Sequence, residues 1–126
     1  MRIFGGLLVC VMLMGCVSSH SITAADGTSF QVKDRAYKDV YNAAILTVAS
    51  VGEITAQNRK KGEVRGLKGV TGFSWGEAIA VFISPANESA RNFTVTVVSE
   101  HVMQTQLTGT NFGPSMIAAM KARLKL

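Results

Sequence analysis

The cysteine at position 16 is the side chain of this sequence that is best placed to do chemistry. It ends the segment Leu13-Met14-Gly15-Cys16, which closes an uncharged apolar run over residues 3–17, and Arg2 supplies a positive charge just before that run. A thiolate is nucleophilic enough to accept a carbon chain as a thioether, and the small Gly15 leaves a peptidase room to approach the backbone. The sequence therefore predicts a modification and cleavage site at Gly15-Cys16.

A positive start, a short apolar core and a small residue at the cleavage point are typical of an export signal. Because a cysteine follows the cut, the segment resembles the lipobox of bacterial lipoproteins, in which an aliphatic residue, a small-to-medium residue and Gly or Ala precede the cysteine. Leu13, Gly15 and Cys16 match that pattern. The resemblance implies a diacylglyceryl thioether on the Cys16 sulfur, cleavage after Gly15 and acylation of the new amino terminus, with no further cofactor.

Two other interpretations of the amino-terminal run are less favoured. A membrane-spanning helix needs roughly 20 apolar residues, and the run over residues 3–17 is shorter. Ordinary cleavage after the segment 23–25 would release a soluble protein. In lipoproteins of Gram-negative bacteria, the lack of Asp or Glu directly after the lipidated cysteine implies transfer to the outer membrane, and none follows Cys16 here. We therefore expect a lipid-anchored protein on the periplasmic face of the outer membrane.

The composition fits one globular domain behind the signal. Removing the 15 residues through Gly15 leaves 111 of the 126, which suits a single core. Hydrophobic residues make up 48% of the chain and charged residues 17%, which is not the composition of a disordered protein. Loss of Arg2 lowers the formal net charge from +5 to +4. Because Cys10 leaves with the signal and Cys16 carries lipid, no thiol is left for a disulfide, a redox site or a thiolate metal site.

The periodicity of the chain predicts its elements in order. Residues 16–29, rich in Ser, Thr, Ala and Gly, are expected to form a flexible tether, followed by a single domain over residues 30–126 that starts with a strand at 30–32. Asp34 is expected to cap a helix over residues 36–51, and Gly52 to end it in a left-handed conformation. The three-four spacing of one helical face is formed by Tyr37, Val40, Tyr41, Ala44, Ile45, Val48 and Val51.

The second half of the chain is predicted to be strand-rich. A hairpin is expected over residues 53–68, strands over 77–85 and 92–99, and a last helix from Gly113-Pro114, with glycines 66, 69, 72 and 76 explained by turns. These elements predict an α+β fold of two layers, with an antiparallel sheet of about four strands and two helices on one face. Either β-α-β-β-β-β-α or β-α-β-β-β-α fits. Residues 100–110 suit a polar extension of the preceding strand or a loop.

Four segments give the chain a family resemblance. They are a helix start at residues 37–44, the segment 75–85, the strand 94–97 and the terminal helix over 111–126. With these, the chain resembles small bacterial lipoproteins whose single domain is similar to the helix-grip-like domains of BamC, the lipoprotein of the outer-membrane β-barrel assembly machinery. The resemblance implies a periplasmic α+β domain without an assigned activity.

No enzyme is predicted. Neither His20 nor His101 lies in a nucleophile elbow, an HExxH pattern or a cysteine cluster, so no catalytic triad and no metal site can be named. We predict a non-catalytic binding module of the cell envelope, held by its lipid and contacting an envelope protein through sheet edges or the uncovered sheet face. The alternative is binding of an anionic lipid or glycan through the basic hairpin tip Arg59, Lys60 and Lys61. Nucleic acid is not expected, since a basic-aromatic surface pattern is lacking.

Overall fold

Five antiparallel strands and two α-helices make up the structure, a computed structural model that describes residues 22–69, 76–101 and 112–126. A short 3-10 helix at Ala24–Asp26 precedes them. The strands are β1 (Thr28–Val32), β2 (Glu53–Asn58), β3 (Glu63–Lys68), β4 (Glu77–Ser84) and β5 (Phe93–His101), and the helices are α1 (Tyr37–Val51) and α2 (Gly113–Leu124).

The strands form one sheet in the order β1-β5-β4-β3-β2. All four pairings are antiparallel, and the chain order is β-α-β-β-β-β-α. Both helices pack on the same face, where their apolar side chains share one core with the strands. The predicted two-layer α+β fold is confirmed, in the first of its two orders and with five strands.

The core lies between this sheet face and the helices. Alternate residues of β5 (Phe93, Val95 and Val97) are almost fully buried there, because successive side chains of a strand point to opposite faces. From α2, Met116, Met120 and Leu124 complete the layer. Met116 is fully buried and Ile117 only partly, so the apolar face of α2 runs through Met116, Met120 and Leu124.

The ends of α1 differ from the prediction. Ala36 is the N-cap residue and makes no side-chain cap, whereas Asp34 has a φ of 55° and its carboxylate accepts a hydrogen bond from Arg91 at 3.0 Å. At the other end, Gly52 has a φ of −155°, which is extended backbone and not left-handed. The predicted Asp34 cap and left-handed Gly52 are therefore both wrong. Arg91 binds the carboxylate of Asp34, and Gly52 leads directly into the extended strand β2.

The fold begins before the predicted boundary at Phe30. Strand β1 starts at Thr28, and Ile22 is buried on the outer face of the sheet against Ala80 and Val98. Arg65 donates a hydrogen bond to the carbonyl oxygen of Ile22 at 3.0 Å. Residues 22–29 are thus part of the fold and not of a free tether, and residues 1–21 lie outside the described ones.

One buried polar group stands out in α1. The side chain of Thr47 is fully buried, and its hydroxyl oxygen has no hydrogen-bond partner among the residues that the structure describes. Leaving a buried hydroxyl unpaired costs about 1–3 kcal/mol. We expect Thr47→Val, which keeps the shape and removes the hydroxyl, to raise the free energy of unfolding by about 1 kcal/mol in urea titrations. Thr47→Ala also opens a cavity and should be less stable than the Val variant; the reverse order would contradict this assignment.

Candidate functional sites

The predicted lipidation site, Gly15 and Cys16, lies outside the described residues. The nearest described residue is Ile22, which is anchored on the outer face of the sheet. Six residues span at most about 20 Å when extended. A lipid on Cys16 would therefore keep the sheet close to the bilayer.

The basic hairpin tip forms as predicted between β2 and β3. The turn closes through hydrogen bonds from the backbone N–H of Lys61 to the carbonyl and side-chain oxygens of Asn58, at 3.2 and 3.1 Å. Gly62 adopts a φ of 71°, where glycine is favoured. Its carbonyl oxygen accepts a hydrogen bond from Ile83 at 2.8 Å, which fixes the tip to the end of β4.

The three cations of the tip are not equivalent. Arg59 donates two hydrogen bonds to the carboxylate of Glu88, at 2.8 and 3.0 Å, and these hold the pKa of the guanidinium above its ordinary value. Its guanidinium carbon also lies 6.0 Å from the ring centres of Tyr37 and Tyr41. The positive charge of Arg59 is therefore balanced by Glu88, and its side chain is held in place. Of the predicted anion site, only Lys60 and Lys61 extend freely into solvent.

The two tyrosines beneath the tip are structural. Tyr37 donates its hydroxyl to the carbonyl of Arg59, and Tyr41 donates to the carbonyl of Glu63 at 3.3 Å. Burial raises the pKa of both phenols, and the Arg59 charge opposes the shift. These contacts agree with the general rule that a buried tyrosine packs its ring and pairs its hydroxyl. They leave no free phenol at the tip for ligand chemistry.

A cavity of about 450 Å³ lies beside the tip. It is lined by Arg59, Lys60, Ala86 and Glu88. The carboxylate of Glu88 would repel a phosphate or carboxylate there. The spacing of residues 59–61 gave no sign of this acid, which comes from the loop between β4 and β5.

A second basic site lies in a groove between α1 and α2. Its volume is about 340 Å³, and its lining combines three cations with one carboxylate and two leucines: Arg35, Arg123, Lys125, Asp39, Leu46 and Leu124, with Asn42 and Ala43 completing it. The cations come from opposite ends of the domain sequence. No local sequence pattern joins Arg35 to Arg123 and Lys125, and this groove was not among the predicted sites.

The groove is rigidly built. Arg35 donates two hydrogen bonds to the carbonyl of Leu124, both at 3.1 Å, and so ties the start of α1 to the end of α2. Lys125 is left-handed, with a φ of 57°, and the backbone N–H of Leu126 donates to Lys121 at 2.9 Å. This is the hydrogen-bond pattern that closes a helix carboxyl end. It fixes the position of Lys125, while Arg123 and Lys125 have no ion-pair partner among the described residues.

The outer edge of β2 is a third candidate surface. Five of its six residues are exposed, and no strand pairs with that edge within the described ranges. The stretch Ile54-Thr55-Ala56-Gln57 has no charge and no proline, and a bulge at Thr55 interrupts its regularity. A strand edge of this kind exposes backbone donors and acceptors that another chain can pair with.

Other sites are not supported by side chains that the structure describes. Residues 22–69, 76–101 and 112–126 contain no cluster of three His, Cys, Asp or Glu side chains that could hold a metal ion. His20 precedes these ranges, and the side chain of His101 is not described. Within the same part of the chain, none of the helices has the length and apolarity needed to cross a membrane. No family model matches the chain, and no curated protein or solved structure is significantly similar to it.

Proposed function

We propose that this protein is a lipid-anchored module of the bacterial cell envelope that binds an extended segment of another envelope protein along strand β2. Cys16 carries the lipid, and the domain is non-catalytic and lies on the periplasmic face of the outer membrane. The observation that carries the binding role is the open edge of β2, which has no charged residue from Ile54 to Asn58. A strand added there gains main-chain hydrogen bonds without any rearrangement of the sheet.

The opposite edge is less suited to strand addition. In β1, the ring of Phe30 is covered by the ammonium group of Lys121 at 5.5 Å, so a cation from α2 lies beside that strand. Lysines near an edge oppose the docking of another strand. The interior of β2 has no such protection except the bulge at Thr55, which leaves the regular pairs from Ala56 to Asn58. We therefore place the partner segment on the second half of β2.

Binding of an anionic lipid or glycan at the hairpin tip is the weaker alternative. The exposed Lys60 and Lys61 favour it. The pairing of Arg59 with Glu88 counts against it, because it removes one cation and adds a carboxylate to the same cavity.

Photo-crosslinking in living cells tests the strand-addition proposal. A photoreactive amino acid at Gln57 should form an adduct with an envelope protein, and the crosslinked peptide should map to an extended segment of that partner. The matched control is Gln31, an exposed glutamine on the opposite edge strand. Adding Ala56→Lys should lower the Gln57 adduct about tenfold, the effect of roughly 1.4 kcal/mol of lost binding. Equal adducts at both positions, or an adduct unaffected by Ala56→Lys, would contradict the proposal.

A further inference from the structure

The charges of this domain are divided between its two ends. Hydrogen bonds from Arg35 to the carbonyls of Arg91 and Leu124, and from Tyr37 to Arg59, bring together the start of α1, the end of α2, the β2–β3 turn and the β4–β5 loop. This end, here called the basic end, carries nine cations: Lys33, Arg35, Lys38, Arg59, Lys60, Lys61, Arg91, Arg123 and Lys125.

Most of the acidic side chains at the basic end form ion pairs with neighbouring cations. Asp34 pairs with Arg91 at 3.0 Å, and Glu88 pairs with Arg59 at 2.8 Å. Glu63 lies 3.9 Å from Arg65, a cation of the sheet. Asp39 is the carboxylate of the α1–α2 groove. The basic end therefore keeps a clear excess of positive charge after its ion pairs are counted.

The opposite end carries more acidic than basic residues. The start of β2, the end of β3, the start of β4 and the second half of β5 bring together Glu53, Glu77 and Glu100 against one cation, Lys68. The segments 70–75 and 102–111 contain no charged residue, so they do not alter this balance. The molecule is thus electrically polar along its strands, a distribution that orients a protein at a charged surface.

The basic end also exposes apolar side chains beside its cations. Three large hydrophobic side chains are exposed in the described ranges, and two of them belong to this region: Leu46 in the groove, 52% exposed, and Leu126, 51% exposed, which follows Lys125. The hairpin tip offers no comparable side chain, since its cavity is lined by Arg59, Lys60, Ala86 and Glu88. Cations next to exposed leucines suit a lipid headgroup layer, where charge and apolar contact are satisfied at different depths.

We infer that the basic end, centred on the α1–α2 groove, docks against the surface of an anionic phospholipid bilayer. Arg123 and Lys125 contact the headgroup phosphates, and Leu46 and Leu126 reach the boundary of the acyl chains. The inference concerns a different surface from the β2 edge and does not depend on acylation of Cys16.

Partitioning onto vesicles tests this inference with charge-matched variants. The full chain carrying Cys16→Ala is used, so that acylation at that position cannot dominate binding. Its partition coefficient is compared between vesicles of phosphatidylcholine alone and vesicles that also contain phosphatidylglycerol. The ratio of the two coefficients cancels any contribution of the apolar amino-terminal run. Arg123→Glu, Lys60→Glu and Lys68→Glu each change the net charge by the same amount, in the groove, at the hairpin tip and at the opposite end.

Arg123→Glu should lower the ratio by about tenfold or more at low salt, because each cation near an anionic surface contributes about 1 kcal/mol. Lys68→Glu should leave the ratio within about twofold, and Lys60→Glu should lower it less than Arg123→Glu does. Leu46→Gln, which keeps the charge, should weaken binding to the phosphatidylglycerol vesicles. If the ratio fell equally in Arg123→Glu and Lys68→Glu, the attraction would depend on net charge alone. If it fell more in Lys60→Glu than in Arg123→Glu, the contact would lie at the hairpin tip. Either result overturns the inference.

Discussion

Replacing Cys16 with Ala should abolish lipid modification completely. We expect the wild-type protein, extracted from cells with detergent, to have the mass of residues 16–126 plus a diacylglyceryl group and an amide-linked acyl chain. Each buried methylene contributes about 0.8 kcal/mol, so three long acyl chains hold a protein on the bilayer essentially permanently. The Cys16→Ala variant should show none of this added mass.

Cys10 provides a matched control for that measurement. It is the other cysteine of the chain and lies inside the predicted signal. If cleavage occurs after Gly15, Cys10→Ala changes a residue that is removed, and the mature protein keeps its wild-type mass. Intact mass is a better readout than fractionation, because an uncut Cys16→Ala chain would keep its apolar run. A wild-type protein with an unmodified thiol would contradict the anchor.

The crosslinking and vesicle experiments separate the roles of the two surfaces. Strand addition at β2 requires a protein partner and an open edge, whereas docking of the basic end requires anionic lipid and the groove cations. Ala56→Lys should disturb only the first, and Arg123→Glu only the second. A lipid on Cys16 would act through a third element, because Ile22, six residues further along, is buried on the outer face of the sheet. These three devices together would give the domain a fixed orientation at a membrane.

Hydrophobic periodicity was sufficient to predict the layers of the fold. The three-four spacing from Tyr37 to Val51 depends on local geometry. Five of its seven predicted residues are buried in the core, and Ile45 and Val51 are partly buried against it. What periodicity does not encode is the contact between distant residues. Asp34 was expected to cap α1, but Arg91 lies beside it in the fold and forms an ion pair with its carboxylate.

In the candidate sites, too, local features were predicted and contacts between distant residues were not. The turn at residues 59–62 was predicted from its own sequence, whereas the partner that neutralises Arg59 is Glu88, 29 positions further along. The α1–α2 groove joins Arg35 to Leu124 across 89 positions. No local pattern links such residues, so a charge cluster built by the fold could not be recognised before the topology was known.

Gly66 shows how a sequence pattern can hide a packing requirement. Together with Gly69, Gly72 and Gly76 it was interpreted as turn geometry, but it lies within β3, opposite Ile79 of β4 and beneath α1. A Cβ atom on Gly66 would lie 2.5 Å from a methyl carbon of Val48 and 2.9 Å from the carbonyl oxygen of Glu53. The missing side chain therefore allows α1 to approach the sheet closely.

Gly66→Val should lower the free energy of unfolding by about 3 kcal/mol, because an overpacked core costs typically 1–3 kcal/mol and here one of the opposing atoms belongs to the backbone. The unfolding midpoint in urea, with its slope unchanged, measures the loss. Gly69→Val is the matched control: a Cβ atom at Gly69 meets no described residue within 4 Å, so this variant should change stability by no more than about 0.5 kcal/mol. Equal destabilisation by both variants would mean that α1 does not rest on Gly66, and that the glycines act through backbone freedom alone.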